Sequence, residues 1–105
     1  MNIRWLDSAE EDLTNFVKLE GQIFGFDVAT QISDEIMSRV DDLIWFPNLG
    51  TLESSLKYQN LEIRVLHERH ARIFYTVSDN EIIIVLFWDN RRDDKKIVPS
   101  LKMAR

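Results

Sequence analysis

The sequence contains no cysteine, which excludes disulfide bonds and thiolate metal sites and fits a reducing compartment. It also lacks a long apolar run, since the longest, Ile82 to Trp88, is far shorter than the roughly 20 residues of a membrane helix. No apolar signal segment follows the first arginine, so we expect a cytoplasmic protein. Repeats, low-complexity tracts and linkers are absent, and the 105 residues therefore predict a single domain over 1–105.

The charge of the chain is unevenly divided. Its formal net charge of -5 argues, taken alone, against a nucleic-acid binder. Residues 1–55 contain three Lys or Arg and eleven acids, whereas residues 56–105 contain ten Lys or Arg and seven acids. We therefore expect any anionic partner to meet the second half. Hydrophobic residues make up 45% of the chain, which predicts a packed core rather than disorder.

Helical spacing occurs twice in the acidic half. Ser8 and Glu11 have the spacing of a capping box, and the apolar residues after them predict a first helix to about Glu20, with a following glycine to end it. A second apolar stripe predicts an amphipathic helix of about eighteen residues that begins at Asp27 and is stopped by Pro47. This stripe comprises Ala29, Ile32, Ile36, Val40, Leu43 and Ile44.

The remaining pattern is that of strands. Strands are predicted at Asn2–Leu6, Leu61–Glu68, Arg72–Val77 and Ile82–Trp88, the last of them apolar on both faces and therefore central. Ser78–Asn80 has the composition of a hairpin turn. Asn48–Asn60 shows little periodicity and is interpreted as a connection.

The element order strand, helix, helix and three strands predicts an α+β domain. In this β-α-α-β-β-β arrangement, two N-terminal helices pack on one face of an antiparallel sheet. Residues from about 89 to 105 form a charged C-terminal tail that contains Pro99. The tail is expected to hold a short helix or to lie loosely against the sheet.

Several short motifs follow one another in a fixed order. They are Ile3-Arg4-Trp5, Asp12-Leu13, Ile63-Arg64-Val65-Leu66, Arg72-Ile73-Phe74-Tyr75-Thr76-Val77, Ile82-Ile83-Ile84-Val85 and Arg91-Arg92-Asp93. Together with their spacing, they resemble the RelE/ParE superfamily of type II toxin–antitoxin toxins, also called plasmid-stabilisation proteins. The resemblance extends over nearly the whole chain.

The resemblance implies a toxin that a cognate antitoxin neutralises. RelE-like members are mRNA interferases that cut messenger RNA on the ribosome, and this activity is the first hypothesis. ParE-like members inhibit DNA gyrase and are not nucleases, which is the alternative. A third hypothesis is an inactive member that only binds its antitoxin, and the acidic pI of about 4.9 favours it because family toxins are usually basic. A homodimer or a hetero-oligomer with the antitoxin remains open.

Three arginines are the candidate catalytic cations. Metal-independent RNA cleavage needs a base for the 2′-hydroxyl, cations for the charged phosphorane and an acid for the leaving oxygen. Arg64 and Arg72 lie on adjacent predicted strands and Arg91 follows the third, so we expect three guanidiniums to converge on one phosphate. The resemblance implies this role because Arg64 and Arg91 match basic positions of RelE-like nucleases and Arg72 matches a common family arginine. Alternatively, Arg64 and Arg72 pair with neighbouring acids and only solvate the sheet.

His67 and Glu68 are candidate acid–base groups near the next turn. A histidine changes its charge near neutral pH, and several nuclease members of the superfamily use His or Glu. The alternative is an exposed polar turn. Two histidines, His67 and His70, and one glutamate crowded on a turn are a poor zinc site, so we expect neither a metal nor another cofactor.

Lys57, Trp88 and Arg92 are the candidate substrate-binding residues. Lysines near the position of Lys57 serve RelE-like nucleases, and Trp88 offers a stacking surface for a base unless it belongs to the core. RelE-like nucleases often have a catalytic Tyr or His after the last strand, but no Tyr or His follows Arg92 here. The absence of such a residue favours the ParE-like hypothesis.

Ile83, Val85 and Phe87 are the candidate antitoxin-binding residues. If helices cover one face of the sheet, alternate residues of this apolar strand remain on the other face as an exposed patch. An antitoxin segment laid across that face, or added as an edge strand, would cover the patch. Alternatively, the C-terminal tail folds back over it with Ile97 and Leu101.

Overall fold

In a computed structural model, which describes residues 1–105, a five-stranded sheet is packed between helices. The strands are β1 (Asn2–Trp5), β2 (Thr51–Tyr58), β3 (Leu61–Glu68), β4 (Ala71–Ser78) and β5 (Glu81–Asp89). The helices are α1 (Asp7–Phe24), α2 (Phe26–Asp41) and α3 (Ile97–Met103), with 3₁₀ turns at Asp42–Ile44 and Asp94–Lys96. The α+β class and the order of the predicted elements are confirmed.

The sheet order is β1-β5-β4-β3-β2, and the sheet is mixed rather than purely antiparallel. β1 pairs with β5 in parallel, while β2 to β5 form an antiparallel meander. Its turns are tight: Asp79 and Asn80 have φ angles of 48° and 65°, as the predicted turn at Ser78–Asn80 requires of a two-residue hairpin.

The edge strand β2 lies where the sequence predicted only a connection. Its pairing with β3 shifts register between Glu53 and Lys57, which interrupts the alternation that identifies a strand. The strand is also mostly exposed, and its polar residues therefore meet water rather than a second layer. The interpretation of Asn48–Asn60 as a connection is wrong for Thr51–Tyr58.

The helices differ from the prediction mainly at their ends. The prediction of a capping box at Ser8 and Glu11 is wrong, because Leu6 is the N-cap residue and no side chain caps α1. Ser8 lies inside the helix, where its hydroxyl oxygen accepts from the Arg105 amide at 3.2 Å. α1 continues to Phe24, and Gly25, whose φ of 98° suits glycine, separates it from α2.

One face of the sheet carries α1 and α2. The predicted stripe of the second helix is buried at Ala29, Ile32, Ile36 and Val40. The Phe16 ring of α1 meets the Phe87 ring of β5 with centroids 5.1 Å apart. Every residue of β5 from Ile82 to Trp88 is buried, which confirms the prediction of a central strand. No helix combines the length and the apolar character needed to cross a membrane.

The C-terminal segment folds back against the sheet. α3 contacts β5 and β2, and its Ile97 and Leu101 are buried. Pro99 falls in the first turn of α3, where its missing amide has no intrahelical partner to lose. Of the alternatives for the tail, the short helix packed on the sheet is therefore the one observed.

Candidate functional site

The Arg64 side chain is hydrogen-bonded to the loop before β2. It stands opposite Tyr75 in the β3–β4 register, and its guanidinium donates to the carbonyl oxygens of Gly50 at 2.9 Å and Asn48 at 3.5 Å. The Tyr75 hydroxyl donates to the Pro47 carbonyl and accepts from the Gly50 amide, both at 2.8 Å. Arg64 is thus a loop anchor in this structure.

Arg72 faces the opposite side of the sheet from Arg64. Tyr75, the partner of Arg64, lies three positions after Arg72 along β4, and successive side chains of a strand point to opposite faces. The Arg72 guanidinium donates to the side-chain oxygens of Asn90 at 2.7 Å and Asp94 at 2.6 Å. It therefore ties β4 to the segment that leads into α3.

Arg91 enters a third, separate network. It donates twice to Asp89 from its Nε, at 2.9 and 3.1 Å, and its terminal nitrogen donates to Asp89 at 2.8 Å and to Glu20 at 2.7 Å. Hydrogen bonds to Asp89 raise the pKa of Arg91 above its ordinary value. Burial raises the pKa of Asp89, but the hydrogen bonds and charge of Arg91 outweigh it and leave that pKa below its ordinary value.

The expected convergence of the three guanidiniums is therefore wrong. Arg64 and Arg72 lie on opposite faces of the sheet, and each of the three arginines has its own set of acceptors. The alternative of pairing with nearby groups describes the arginines better, although Arg64 pairs with backbone carbonyls rather than with acids.

His67 and Glu68 also lie on opposite faces. His67 is exposed and stands opposite Arg72 in the register. Glu68 points towards the helices, where its carboxylate lies 3.9 Å from the Nε of Arg39. The structure brings His67 together with Arg72 but does not bring His67 together with Glu68. No group of three or more His, Cys, Asp or Glu side chains is placed to hold a metal ion.

A cleft lies beside Arg72 on the face of the sheet that carries α3. It has a volume of about 240 Å³ and lies between the β2–β4 part of the sheet and α3. Its polar wall includes His67, Arg72 and Asp94, and its apolar wall includes Phe74 and Ile97. Because Arg72 is paired with Asp94, an anionic ligand would have to compete with a carboxylate that is already in place.

The substrate-binding candidates are dispersed. Lys57 is exposed on the edge strand β2. Trp88 is fully buried, and the Arg92 guanidinium lies 4.1 Å from its ring centroid. The expectation that Trp88 presents a stacking surface is wrong for this conformation, because Trp88 belongs to the core and Arg92 covers it.

The exposed patch expected at Ile83, Val85 and Phe87 is also absent. The three side chains have 7%, 0% and 1% of their surface exposed. Phe87 packs under α1, and Ile83 shares its face with Thr76, a buried residue of β4. All residues of β5 from Ile82 to Trp88 are buried, so the premise of the antitoxin prediction is wrong.

Glu20 is a site residue that the sequence analysis missed. Its side chain is completely buried, and one carboxylate oxygen accepts from Arg91 at 2.7 Å and contacts the His70 Nε2 at 2.6 Å. The other oxygen has no partner. The helical spacing could have identified Glu20 as a buried residue, because it lies four positions after the buried Phe16 and so falls on the apolar stripe of α1.

Comparisons with known proteins agree with the fold. The model of a family described as ParE toxin of type II toxin-antitoxin system, parDE, matches residues 3–94. A solved structure described as the chromosomal ParDE TA system from P. aeruginosa is similar with a TM-score of 0.70, covering 85% of this chain and 95% of that one at 21% identity. At this identity the structural similarity shows the fold alone. No curated protein sequence matches this chain.

Proposed function

Because this chain belongs to the ParE toxin family of type II toxin–antitoxin systems, we propose that it arrests growth by binding and inhibiting DNA gyrase. In this proposal the chain acts in the cytoplasm, without catalysis, and a cognate antitoxin neutralises it. The chain inhibits DNA gyrase through the surface by which it binds to gyrase. The family's pairing with an antitoxin and the arrangement of the basic residues support the proposal.

The observation that carries the proposal is the separation of the three arginines. A ribonuclease that works without a metal needs preorganised cations around one phosphate, because the charge that develops there must be stabilised in the transition state. Here Arg64 and Arg72 lie on opposite faces, and Arg91 is held by Asp89 and Glu20. An arrangement of this kind stabilises the fold and leaves no shared phosphate site.

RNA cleavage is the second candidate, and one observation favours it. His67 and Arg72 stand opposite each other in the register and line the same cleft. They would supply one acid–base group and one cation. The third polar group of the cleft, Asp94, is ion-paired with Arg72 and adds negative charge where a phosphate would bind.

Inducible expression in a bacterium distinguishes the two candidates. Growth and the pulse-labelled synthesis of DNA and protein are followed for the wild type and for a His67→Ala, Arg72→Gln double variant. The matched control is Arg69→Gln, which also removes an ion pair, that of Arg69 with Glu35 at 2.8 Å, but lies outside the cleft. Equal amounts of folded protein are verified by circular dichroism of the purified chains.

If the chain inhibits gyrase, DNA synthesis falls first, and both variants stay as toxic as the wild type. If protein synthesis falls first and only the double variant is harmless, RNA cleavage replaces gyrase inhibition. Unimpaired growth at high expression contradicts both and leaves a member of the family that only binds its antitoxin.

A further inference from the structure

An exposed apolar surface lies where α2 ends and β2 begins. It consists of Trp45, Phe46, Leu49 and Leu52, and we call it the Trp45 surface. Trp45 is 79% exposed and Phe46 is 65% exposed, which is unusual for aromatic side chains in one short segment. Since a Trp or Phe side chain buries about 150–250 Å² when covered, these two alone offer on the order of 300 Å² to a partner. The largest exposed apolar patch of a monomeric protein is commonly of this size and is often functional.

The loop that follows Trp45 and Phe46 is anchored by the side chains of Tyr75 and Arg64. Tyr75 is completely buried and bonds to both Pro47 and Gly50, and Arg64 bonds to the carbonyls of Asn48 and Gly50. Gly50 is packed so closely that an added Cβ would lie 2.7 Å from the Tyr75 Cε1 atom. A loop fixed before binding loses little conformational entropy on binding, which favours affinity.

The chain segment that carries the Trp45 surface is acidic. From Asp41 to Glu53 the sequence contains three acids and no Lys or Arg. Two arginines lie beside this segment: Arg39 is shared between Asp42 at 4.0 Å and Glu68 at 3.9 Å, and Arg64 donates to the loop carbonyls, whereas Asp41 is exposed and has no ion pair. Residues 1–55 as a whole carry eleven acids against three bases. A complementary partner therefore presents basic side chains around its apolar anchors.

We propose that the Trp45 surface docks a basic segment of the antitoxin, in which apolar side chains cover Trp45 and Phe46 and flanking Lys or Arg side chains face Asp41 and Asp42. The antitoxin is the partner that family membership provides. The inference rests on that pairing and is independent of whether gyrase is the target. A second copy of this chain would bring the same acidic residues together, and an anionic lipid surface would be repelled by them, so both are less suitable occupants.

The test measures the affinity between the purified toxin and the purified antitoxin encoded by the gene adjacent to it. Titration calorimetry is carried out at about 0.05 M and 0.5 M salt, a range over which screening of exposed charges changes strongly. The variants are Trp45→Ala with Phe46→Ala, and Asp41→Asn with Asp42→Asn. Phe26→Ala is the matched control, because Phe26 is 82% exposed at the turn between α1 and α2, at the other end of α2.

We expect the aromatic double variant to lose affinity by about 30-fold or more, as interface anchors do, and Phe26→Ala to remain within about 3-fold of the wild type. The Asn variants should weaken binding at low salt and reduce its salt dependence. Because all these side chains are exposed, the folded state should persist, which thermal unfolding verifies.

Unchanged affinity of the aromatic double variant would overturn the inference, as would binding that strengthens with salt. Self-association that the aromatic double variant abolishes would identify a second copy as the occupant and would also overturn it. Vesicles of anionic lipid provide the corresponding test for a membrane surface. Since no gyrase is present, a negative result here leaves the proposed target unaffected, and the growth experiment can fail without affecting this one.

Discussion

The contribution of the Tyr75 hydroxyl to the stability of the fold can be tested by removing a single atom. Tyr75→Phe removes the oxygen that accepts from the Gly50 amide and donates to the Pro47 carbonyl, each at 2.8 Å, and leaves the ring in place. Burial raises the pKa of the Tyr75 phenol above its ordinary value, so it stays neutral and able to donate throughout the physiological range. The change therefore isolates two hydrogen bonds without creating a large cavity.

The expected cost follows from the burial of the two partners. Gly50 is buried, so its orphaned amide costs about 1–3 kcal/mol, whereas Pro47 is half-buried and its carbonyl regains water at a smaller cost. A total of about 2 kcal/mol lowers the Tm of a domain of this size by about 8–10 °C. The hydrogen bonds of Arg64 to the same loop remain, so the native fold should persist.

Urea and thermal unfolding followed by circular dichroism measure this loss of stability. Tyr58→Phe is the matched control, because Tyr58 is only half-buried and the one side-chain bond to its hydroxyl comes from the neighbouring Gln59 at 3.4 Å. The control should change the free energy of unfolding by less than about 0.5 kcal/mol. A loss for Tyr75→Phe as small as that of the control would refute the claim that Tyr75 anchors the loop.

Substitutions at two further residues, Glu20 and Asp12, test the helix face of the sheet. Glu20→Ala should cost about 1–3 kcal/mol, because it leaves Arg91 and His70 without their shared carboxylate, while Glu20→Gln keeps an acceptor oxygen and should cost less; denaturant unfolding of both variants checks the order. Burial raises the pKa of Asp12 above its ordinary value, so ionised Asp12 destabilises the native state at neutral pH, and Asp12→Asn should raise the Tm at pH 7. The gain should vanish as the pH falls below the ordinary pKa of an aspartate, and a gain that is independent of pH would contradict this explanation.

The elements with strong periodicity could be predicted from the sequence. The stripe of α2 and the doubly apolar β5 each bury their side chains as the pattern indicates, because burial itself produces the pattern. β2 could not be found in this way, since it is an exposed edge strand with a register shift. The capping box failed because Ser8 bonds to Arg105, which is 97 residues away in the sequence.

The candidate site was less predictable than the fold for a physical reason. The sequence indicates that Arg64 and Arg72 lie on adjacent strands. It does not indicate whether their side chains point to the same face of the sheet, because that depends on the exact register between β3 and β4. The register puts Arg64 with Tyr75 and Arg72 with His67. The partners that then fix each guanidinium come from a loop and from the tail, which carry no periodic signal.

The most direct test of gyrase inhibition is the supercoiling of relaxed plasmid DNA by purified gyrase in the presence of the purified toxin. Gyrase inhibition predicts that supercoiled product disappears as the toxin concentration rises and that messenger RNA in a reconstituted translation reaction stays intact. Undiminished supercoiling together with messenger RNA cut on the ribosome would contradict it.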